Sequence, residues 1–445
     1  MKHEKHIPGR GMSSRTAAGL LFASLIVSPH AYSEGEYSLE KRVEQLEKEL
    51  EQQKEIKHSA SPDFLDPDGD FWFGFRGRAQ VDAAFFNASD GGRDFNSGTQ
   101  VRRARLGFEG GLYKHWKWRV EADFASGSDA FLQDAYLQYS GFDNVSIKFG
   151  QALTPTNLET LTSSRFITFM ERGSVINAFD RFRVIGLQAS HAQKHYTIAG
   201  GVFGDAASVG ASNADATGRH NDEGWSYHGR LTAAPVNESD RVIHLGLAGY
   251  RYTNPPNDQV RFGDRPEMRV DNARVVNTGT IGNVDSYNFY GFEAAGVYGP
   301  FSIQGQYGQV DVSRNSGNQD VNFDGYYIYG SYFLTGESRP YSKGTFSRVK
   351  PNSKFNLDGG TGAWEIAVRY SNLDLNDGPI MGGEMKNTTV GLNWYFNPYA
   401  RMMLNWVSYD AEDSPIAVAG NNIEGDVIGT RVEVRLVIPI GSNNC

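Results

Sequence analysis

The sequence predicts an all-β transmembrane protein: an antiparallel β-barrel of about sixteen strands, preceded by a short N-terminal coiled-coil helix. Strand-like segments alternate apolar and polar residues, and their polar face carries full charges, as expected when one face meets lipid and the other water. The chain is rich in aromatic residues, yet its mean hydropathy is -0.47. Beyond the N-terminal region no apolar run approaches the roughly 20 residues that a spanning helix needs. A helical membrane protein is therefore excluded.

The N-terminus predicts export. Basic residues precede an apolar stretch over residues 17–27, and Ala31 and Ser33 stand three and one residues before a cleavage position at Glu34. This pattern is typical of a secretory signal peptide, which we assign to residues 1–33. A membrane anchor is the weaker alternative, because about eleven apolar residues are too few to span a bilayer.

A helical repeat follows the signal peptide. Leu39, Val43, Leu46 and Leu50 are spaced four, three and four residues apart with charged residues between them, which predicts a short coiled coil over residues 34–58. The alternative is an isolated surface helix. So narrow an apolar stripe is stable mainly against copies of itself, which favours a homo-oligomer. Residues 59–70 have turn chemistry and are predicted to be a linker.

Alternation with a period of two begins at Phe71. In the first segment Val81 and Phe85 fall on one face, whereas Arg78 and Asp82 fall on the other. A soluble sandwich also alternates, but the signal peptide, the aromatic strand ends and the charged inner face favour a membrane barrel over residues 71–440, with a tail at 441–445. The predicted strands are 71–85, 99–112, 117–125, 131–139, 145–152, 184–190, 196–203, 226–233, 242–252, 287–298, 301–313, 325–334, 363–373, 388–396, 400–408 and 427–438.

Three connections are long, namely residues 153–183, 253–286 and 335–362. A barrel of this size leaves an aqueous channel, which inward-folded loops would narrow. The first connection carries Arg165 and Arg172, and the third has five basic residues against two acidic ones. Inward arginines and lysines favour anions. The alternative is that the arginines pair with wall carboxylates and only stiffen the barrel.

Three segments carry a family resemblance: VRRARLGFEGGLYKHWKWRVEADF, QDAYLQYSGFDNVSIKFGQ and LETLTSSRFITFMER. With the strands near the C-terminus, they resemble the phosphate-selective porin O and P family. The resemblance implies a sixteen-stranded trimeric barrel in the outer membrane of a Gram-negative bacterium. It also implies that the loop after the fifth strand, another extracellular loop and one long periplasmic turn fold into the lumen.

In that family an arginine ladder leads phosphate to a constriction lined by lysines. The resemblance therefore assigns the substrate-binding, pore-lining residues to Arg78, Arg102, Arg103, Asp134, Thr160, Arg165, Arg172, Lys343 and Lys350. Thr160 stands where the family has a lysine, Arg165 replaces a nearby lysine, and the alignment of a turn lysine falls on Ser342 or Lys343. The missing ammonium at Thr160 should weaken phosphate binding while leaving a general preference for anions.

We expect an outer-membrane porin with a water-filled channel that prefers phosphate or related anions. The alternative is a general or sugar-permeable porin without phosphate selectivity; a sugar porin needs a staircase of inward aromatic residues, and most aromatics here alternate onto the lipid face. The expected partners are a homotrimer, outer-membrane lipids and small anions. The net charge of -9 argues against nucleic acid. No GxSxG or HExxH motif occurs, so we expect no enzyme, catalytic residue, cofactor or metal.

Overall fold

The computed structural model describes residues 64–65, 70–87, 93–125, 130–207, 223–418 and 420–437. Among these residues, sixteen antiparallel strands form a closed barrel, in which the first strand pairs with both the second and the last. They are β1 (Phe71–Phe86), β2 (Gly98–Leu112), β3 (Trp116–Asp123), β4 (Phe131–Phe142), β5 (Val145–Leu153), β6 (Arg183–Ala192), β7 (Tyr196–Phe203), β8 (Trp225–Asn237), β9 (Arg241–Thr253), β10 (Val284–Tyr298), β11 (Phe301–Arg314), β12 (Val321–Phe333), β13 (Ala363–Asp377), β14 (Ile380–Asn397), β15 (Ala400–Glu412) and β16 (Ile423–Val437). The predicted antiparallel barrel of about sixteen strands is confirmed.

The predictions for the two ends of the chain concern residues that the structure largely does not describe. The signal peptide (1–33), the coiled coil (34–58) and the C-terminal tail (441–445) lie outside the described residues. Within the predicted linker, Phe64–Leu65 forms a two-residue strand that pairs with the start of β1. In the described part of the chain, no helix has both the length and the apolar character needed to cross a membrane.

Side-chain alternation separates the two faces of the wall. On β1, Val81 and Phe85 are exposed on the outer face, whereas Arg78 and Asp82 are buried in the lumen. On β16, Ile428, Val432 and Val434 point outward while the intervening Arg431 and Glu433 are buried. Because successive side chains of a strand point to opposite faces, one register produces both an apolar exterior and a charged interior.

Every predicted strand overlaps an observed one, and the differences lie mainly at the strand ends. β14 begins at Ile380, earlier than the predicted residue 388, and joins β13 through a tight turn in which Gly378 has a φ of 54°. The additional paired residues at the start of β14 include Glu384 and Lys386, whose charged side chains point outward and form an ion pair. Backbone pairing therefore continues beyond the apolar belt that makes a strand recognisable in the sequence.

The three long connections all send residues into the barrel, as the family resemblance implied, although the second half of the third lies against the outer wall. We name them loop A (residues 154–182), loop B (254–283) and turn C (334–362). Loop A contains two short helices, α1 (Leu158–Leu161) and α2 (Ser174–Phe179). Turn C lies at the end of the barrel where the other connections are short, which is the periplasmic end in bacterial barrels. Its Phe346 packs against Leu158 of loop A inside the lumen.

Buried donors from four consecutive strands hold loop A across the lumen. Each donates a hydrogen bond to a backbone carbonyl of the loop, which would otherwise be an unsatisfied polar group. The donors are Arg369 on β13, Asn393 on β14, Arg401 on β15 and Arg431 on β16, and the acceptors are the carbonyls of Glu171, Thr168, Ile167 and Met170, respectively. Loop A is therefore fixed by β13–β16, the strands that precede the closure of the barrel against β1.

One buried carboxylate of loop B, that of Glu267, makes several of the contacts that hold the loop. Glu267 accepts hydrogen bonds from Ser371 at 2.7 Å and Thr389 at 2.9 Å, and it forms an ion pair with Arg369. It also accepts the backbone N–H of Ser174 at the start of α2, at 3.3 Å. One carboxylate thus joins loop B, loop A and the inner face of β13 and β14.

Packed side chains fill one half of the lumen. The aromatic side chains in this core point inward from β9, β10 and β12 and contact α2 and loop B; they include Tyr250, Tyr252, Tyr287, Phe289, Phe323, Tyr327 and Tyr329. The expectation that most aromatics face lipid is therefore wrong for β9 and β12, whereas on β10 Tyr290, Phe292 and Tyr298 do face outward. Loops A and B cover the inward aromatics. The inner face of these strands, which would contact water in a simple barrel, is therefore part of a packed core.

Candidate functional site

The open half of the lumen contains a cavity of about 680 Å³ beside loop A. Strands β1–β6 supply its outer wall and loop A supplies its inner wall. Among the described residues, eleven arginines and three carboxylates line it. The arginines are Arg76, Arg78, Arg102, Arg103, Arg105, Arg119, Arg165, Arg172, Arg181, Arg183 and Arg269, and the carboxylates are those of Glu121, Asp134 and Glu171. The charge of the lining is therefore strongly positive.

A β-bulge adds Arg102 to the arginines that β2 presents to the lumen, which alternation alone would limit to Arg103 and Arg105. Gln80 pairs with Arg103 and Val81 with Val101, so Arg102 is an extra residue in the ladder. A bulge re-aims side chains, and here Arg102 and Arg103 both reach Glu171 although they are adjacent in sequence.

Glu171 in loop A is the acceptor at the centre of these arginines. Arg102 binds it through two nitrogens at 2.7 and 2.9 Å, and Arg431 donates to it at 2.8 Å. Burial opposes ionisation, but Arg102, Arg103 and Arg431 hold the pKa of Glu171 well below its usual range. The carboxylate is therefore charged and ties loop A to both β2 and β16.

Several wall arginines are paired, as the alternative interpretation predicted. Arg76 donates to Glu121 at 2.9 Å and to Glu109 at 2.7 Å. The predicted constriction acid, Asp134, lines the cavity and accepts from Arg183 at 2.7 Å. These pairs stiffen the wall and leave less of its charge available to a solute.

Three cavity arginines form no ion pair within the described part of the chain: Arg78, Arg165 and Arg172. Arg172 donates to backbone carbonyls of loop A, whereas Arg78 and Arg165 keep most of their donors. Arg78 donates to the hydroxyl of Ser164 at 2.7 Å, while its buried Nε has no acceptor. Arg165 donates from Nε to Ser163 at 3.2 Å. Burial, with the neighbouring charge of Arg76, lowers the pKa of Arg165 to about 9, so its guanidinium stays protonated at neutral pH. Arg78 and Arg165 are therefore guanidinium cations that keep N–H groups without an acceptor among the described residues.

Arg172 and Thr160 are directed into loop A itself. Arg172 donates to the backbone carbonyls of Glu159, Thr160 and Thr162 and so shapes the loop, although it also lines the cavity. Thr160 is fully buried, and its hydroxyl donates to Asp180. Burial raises the pKa of Asp180. The Thr160 side chain does not line the cavity.

The two predicted lysines of turn C lie away from the cavity. Lys343 and Lys350 are exposed and are not among its lining residues. Instead, Arg348 of turn C reaches the ring of Phe166, which Arg165 and Arg435 also approach at 5.4 and 5.2 Å. Positive charge therefore continues from the cavity towards turn C through arginines.

The structure thus brings together six of the nine sequence-predicted site residues, Arg78, Arg102, Arg103, Asp134, Arg165 and Arg172. Sequence reasoning missed Arg269, which reaches the cavity from loop B, and Gln133, which a second bulge turns inward. It also missed Arg401 as an anchor of loop A. Alternation along β15 placed Arg401 on the inner face, and this was the signal that could have identified it. Arg269 lies in an irregular loop, where no periodicity indicates direction.

A closed sixteen-stranded barrel with an apolar exterior, a charged lumen and inward-folded loops defines a bacterial outer-membrane diffusion channel. Residues 73–436 match the model of the family described as phosphate-selective porin O and P, and the chain belongs to that family. The protein is therefore an outer-membrane porin of a Gram-negative bacterium.

Individual relatives agree with this assignment. Porin O of Pseudomonas aeruginosa is 28% identical over 417 residues, covering 85% of this chain and 91% of that protein. An anion-selective porin from Comamonas acidovorans has a TM-score of 0.52 at 15% identity, covering 82% of this chain and all of that one. The trimer form of OmpT from Vibrio cholerae has a TM-score of 0.51 at 11% identity, covering 82% and 99% of the two chains. At these identities the structural likeness concerns the fold.

The division of the lumen predicts where a solute can reach the wall. In a Cys445→Ser background, we expect Gln133→Cys, on the cavity wall, to react with an anionic methanethiosulfonate and to lose conductance. Val310→Cys is the matched control, because Val310 is fully buried in the packed half. It should stay unmodified. Planar-bilayer recordings before and after reagent measure both, and a loss of current at position 310 but not at 133 would contradict the assignment of the open half.

Proposed function

We propose that this porin is a general anion-preferring diffusion channel and that the arginine-lined cavity is its conduit. The excess of arginines over carboxylates in the lining supports the proposal most directly. At an effective dielectric constant near 20, a unit charge about 8 Å away is worth roughly 2 kcal/mol before screening. Net positive charge around a narrow passage therefore enriches anions and depletes cations.

The unpaired cations Arg78 and Arg165 are proposed to contact the permeating anion. Each keeps donors that the described residues do not satisfy, and each belongs to a segment that bounds the cavity on a different side, β1 for Arg78 and loop A for Arg165. An anion between them would receive charge-assisted hydrogen bonds from two directions. The hydroxyls of Ser163 and Ser164 lie beside them and could replace part of its hydration shell.

Tight phosphate selectivity has less support than anion preference. The side chain of Thr160 is bound to Asp180, and Lys343 and Lys350 are not on the cavity wall. Among the described residues the cavity lining contains arginines and no lysine, and the planar donors of arginine differ from a compact ammonium. A sugar-permeable channel has less support still, because the inward aromatics are packed into a core. The barrel architecture and the family are those of a channel rather than of an enzyme.

The charge test uses Arg78→Gln together with Arg165→Gln. Removing two unpaired cations from the conduit should lower the anion-to-cation permeability ratio by roughly tenfold. A factor of ten corresponds to about 1.4 kcal/mol, which is what remains of the unscreened electrostatic energy of the two charges after screening by salt. Reversal potentials across planar bilayers in a KCl gradient measure this ratio.

Arg251→Gln is the control, because Arg251 is exposed on the outer face of β9 and its guanidinium donates only to Asn288 and Ser286 among the described residues. The ratio should be unchanged in that variant. An unchanged ratio in the double variant as well would place the selective charge elsewhere.

We also propose that the protein assembles as a homotrimer, with residues 34–58 forming a three-stranded coiled coil. The four-three-four spacing of Leu39, Val43, Leu46 and Leu50 supports this, and one structural neighbour is a trimer. Native mass measurement in mild detergent should show three chains, and removal of residues 34–58 should increase the fraction of monomer. Monomers of the intact chain at working concentration would contradict the proposal.

A further inference from the structure

Turn C has two halves that lie on opposite sides of the barrel wall. Its first half is inside: Arg339 is buried over the ring of Phe346 at 3.8 Å, and Val349 packs against the inward Phe333 and Tyr395. Its second half, residues 352–361, crosses the periplasmic rim to the outer wall. There the N–H of Phe355 donates to the carbonyl of Phe396 at 2.7 Å.

The second half of turn C is attached to outward-facing aromatic residues. The ring of Phe355 meets that of Trp394 edge-on, with 5.0 Å between centroids. Trp394 stacks on Trp364 at 4.8 Å, and both indoles donate to the carbonyl of Thr361, at 2.9 and 3.3 Å. Outward tryptophans near strand ends are typical of the membrane interface. Residues 355–361 therefore lie at the level of the lipid headgroups.

The tip of this segment is a structured turn that presents an apolar side chain. The side-chain oxygen of Asn356 accepts the N–H groups of Asp358 at 3.0 Å and Gly360 at 2.8 Å. A Cβ at Gly360 would lie 2.0 Å from the carbonyl of Lys354, so only glycine fits. The closed turn leaves Leu357 96% exposed and Phe355 43% exposed. Exposing the side chain of Leu357 to water in a turn of fixed conformation costs hydrophobic free energy.

We propose that residues 353–361 anchor turn C in the phospholipid leaflet that faces the periplasm. Full burial of a leucine or phenylalanine side chain is worth roughly 1.5–3 kcal/mol. The ring of Phe355 packs against the outward Trp394, and Leu357 lies two residues further along the same turn. The exposed ammonium of Lys354 suits lipid phosphates. Because the first half of turn C narrows the lumen, the anchor fixes a channel-lining element to the bilayer. The proposal is independent of which ion permeates.

Spin labels at single cysteines test the anchor in the full-length protein, in a Cys445→Ser background and in vesicles of phosphatidylethanolamine and phosphatidylglycerol. The label is placed at Leu357→Cys. Ile366→Cys is the lipid reference, since Ile366 points outward from β13. Ser239→Cys is the water reference, since Ser239 is exposed in a short turn at the same periplasmic end. Heat-dependent migration in electrophoresis confirms that each barrel is folded.

The measured quantity is the accessibility of each label to oxygen, which enters lipid, relative to a water-soluble nickel chelate. The anchor predicts a ratio at position 357 that approaches the value at 366 and exceeds the value at 239 several-fold. A ratio equal to that at 239 places the tip in water and overturns the proposal. Spin–spin broadening at 357 that disappears on dilution with unlabelled chains places the tip against a second copy and also overturns it.

Discussion

The fold of the lumen depends on the need to satisfy the backbone of a loop inside a barrel. Irregular backbone at membrane depth is tolerated only where its polar groups find partners. Here Arg369, Asn393, Arg401 and Arg431 each supply a donor to consecutive parts of loop A. Leaving a buried acceptor without its donor typically costs about 1–3 kcal/mol, so the wall and the loop stabilise each other. Loop A in turn contacts Glu267 of loop B and Phe346 of turn C.

The attachment also decides which arginines can select a solute. Arg369 on β13, Arg401 on β15 and Arg431 on β16 donate hydrogen bonds to loop A. Arg431 is also fully buried between Asp82 and Glu171. Loop A then turns its other side to β1–β6 and encloses the cavity with them. Arginine therefore has two roles in one lumen: Arg369, Arg401 and Arg431 hold loop A, whereas Arg78 and Arg165 form no ion pair and line the cavity.

The sequence predicted the barrel well because the physical signal of a strand is local. The predicted bounds of β7 coincide with the observed Tyr196–Phe203, because the alternation of apolar and polar residues stops at the same positions as the backbone pairing. Inward charges such as Arg78 followed from the same period of two. The bulge at Arg102 was not visible, although the family resemblance named both Arg102 and Arg103. The contact of Thr160 with Asp180 depends on a fold of loop A that no spacing encodes.

The packed half of the lumen was harder to predict for a different reason. Tyr250 and Tyr252 alternate with the outward Arg251, so the period was readable, but the face that is wet in a simple barrel is dry here. Loop B covers them, and its docking depends on Glu267 reaching residues more than one hundred positions away. Such long-range pairing leaves no local pattern.

The most direct test of the account is the reversal potential of the native channel in a planar bilayer across a tenfold KCl gradient. The arginine-lined conduit predicts a potential of the sign set by chloride, and a decline towards zero as salt rises and screens the lining, because the Debye length falls from about 10 Å at 0.1 M to about 3 Å at 1 M. A potential of the sign set by potassium would contradict the central claim.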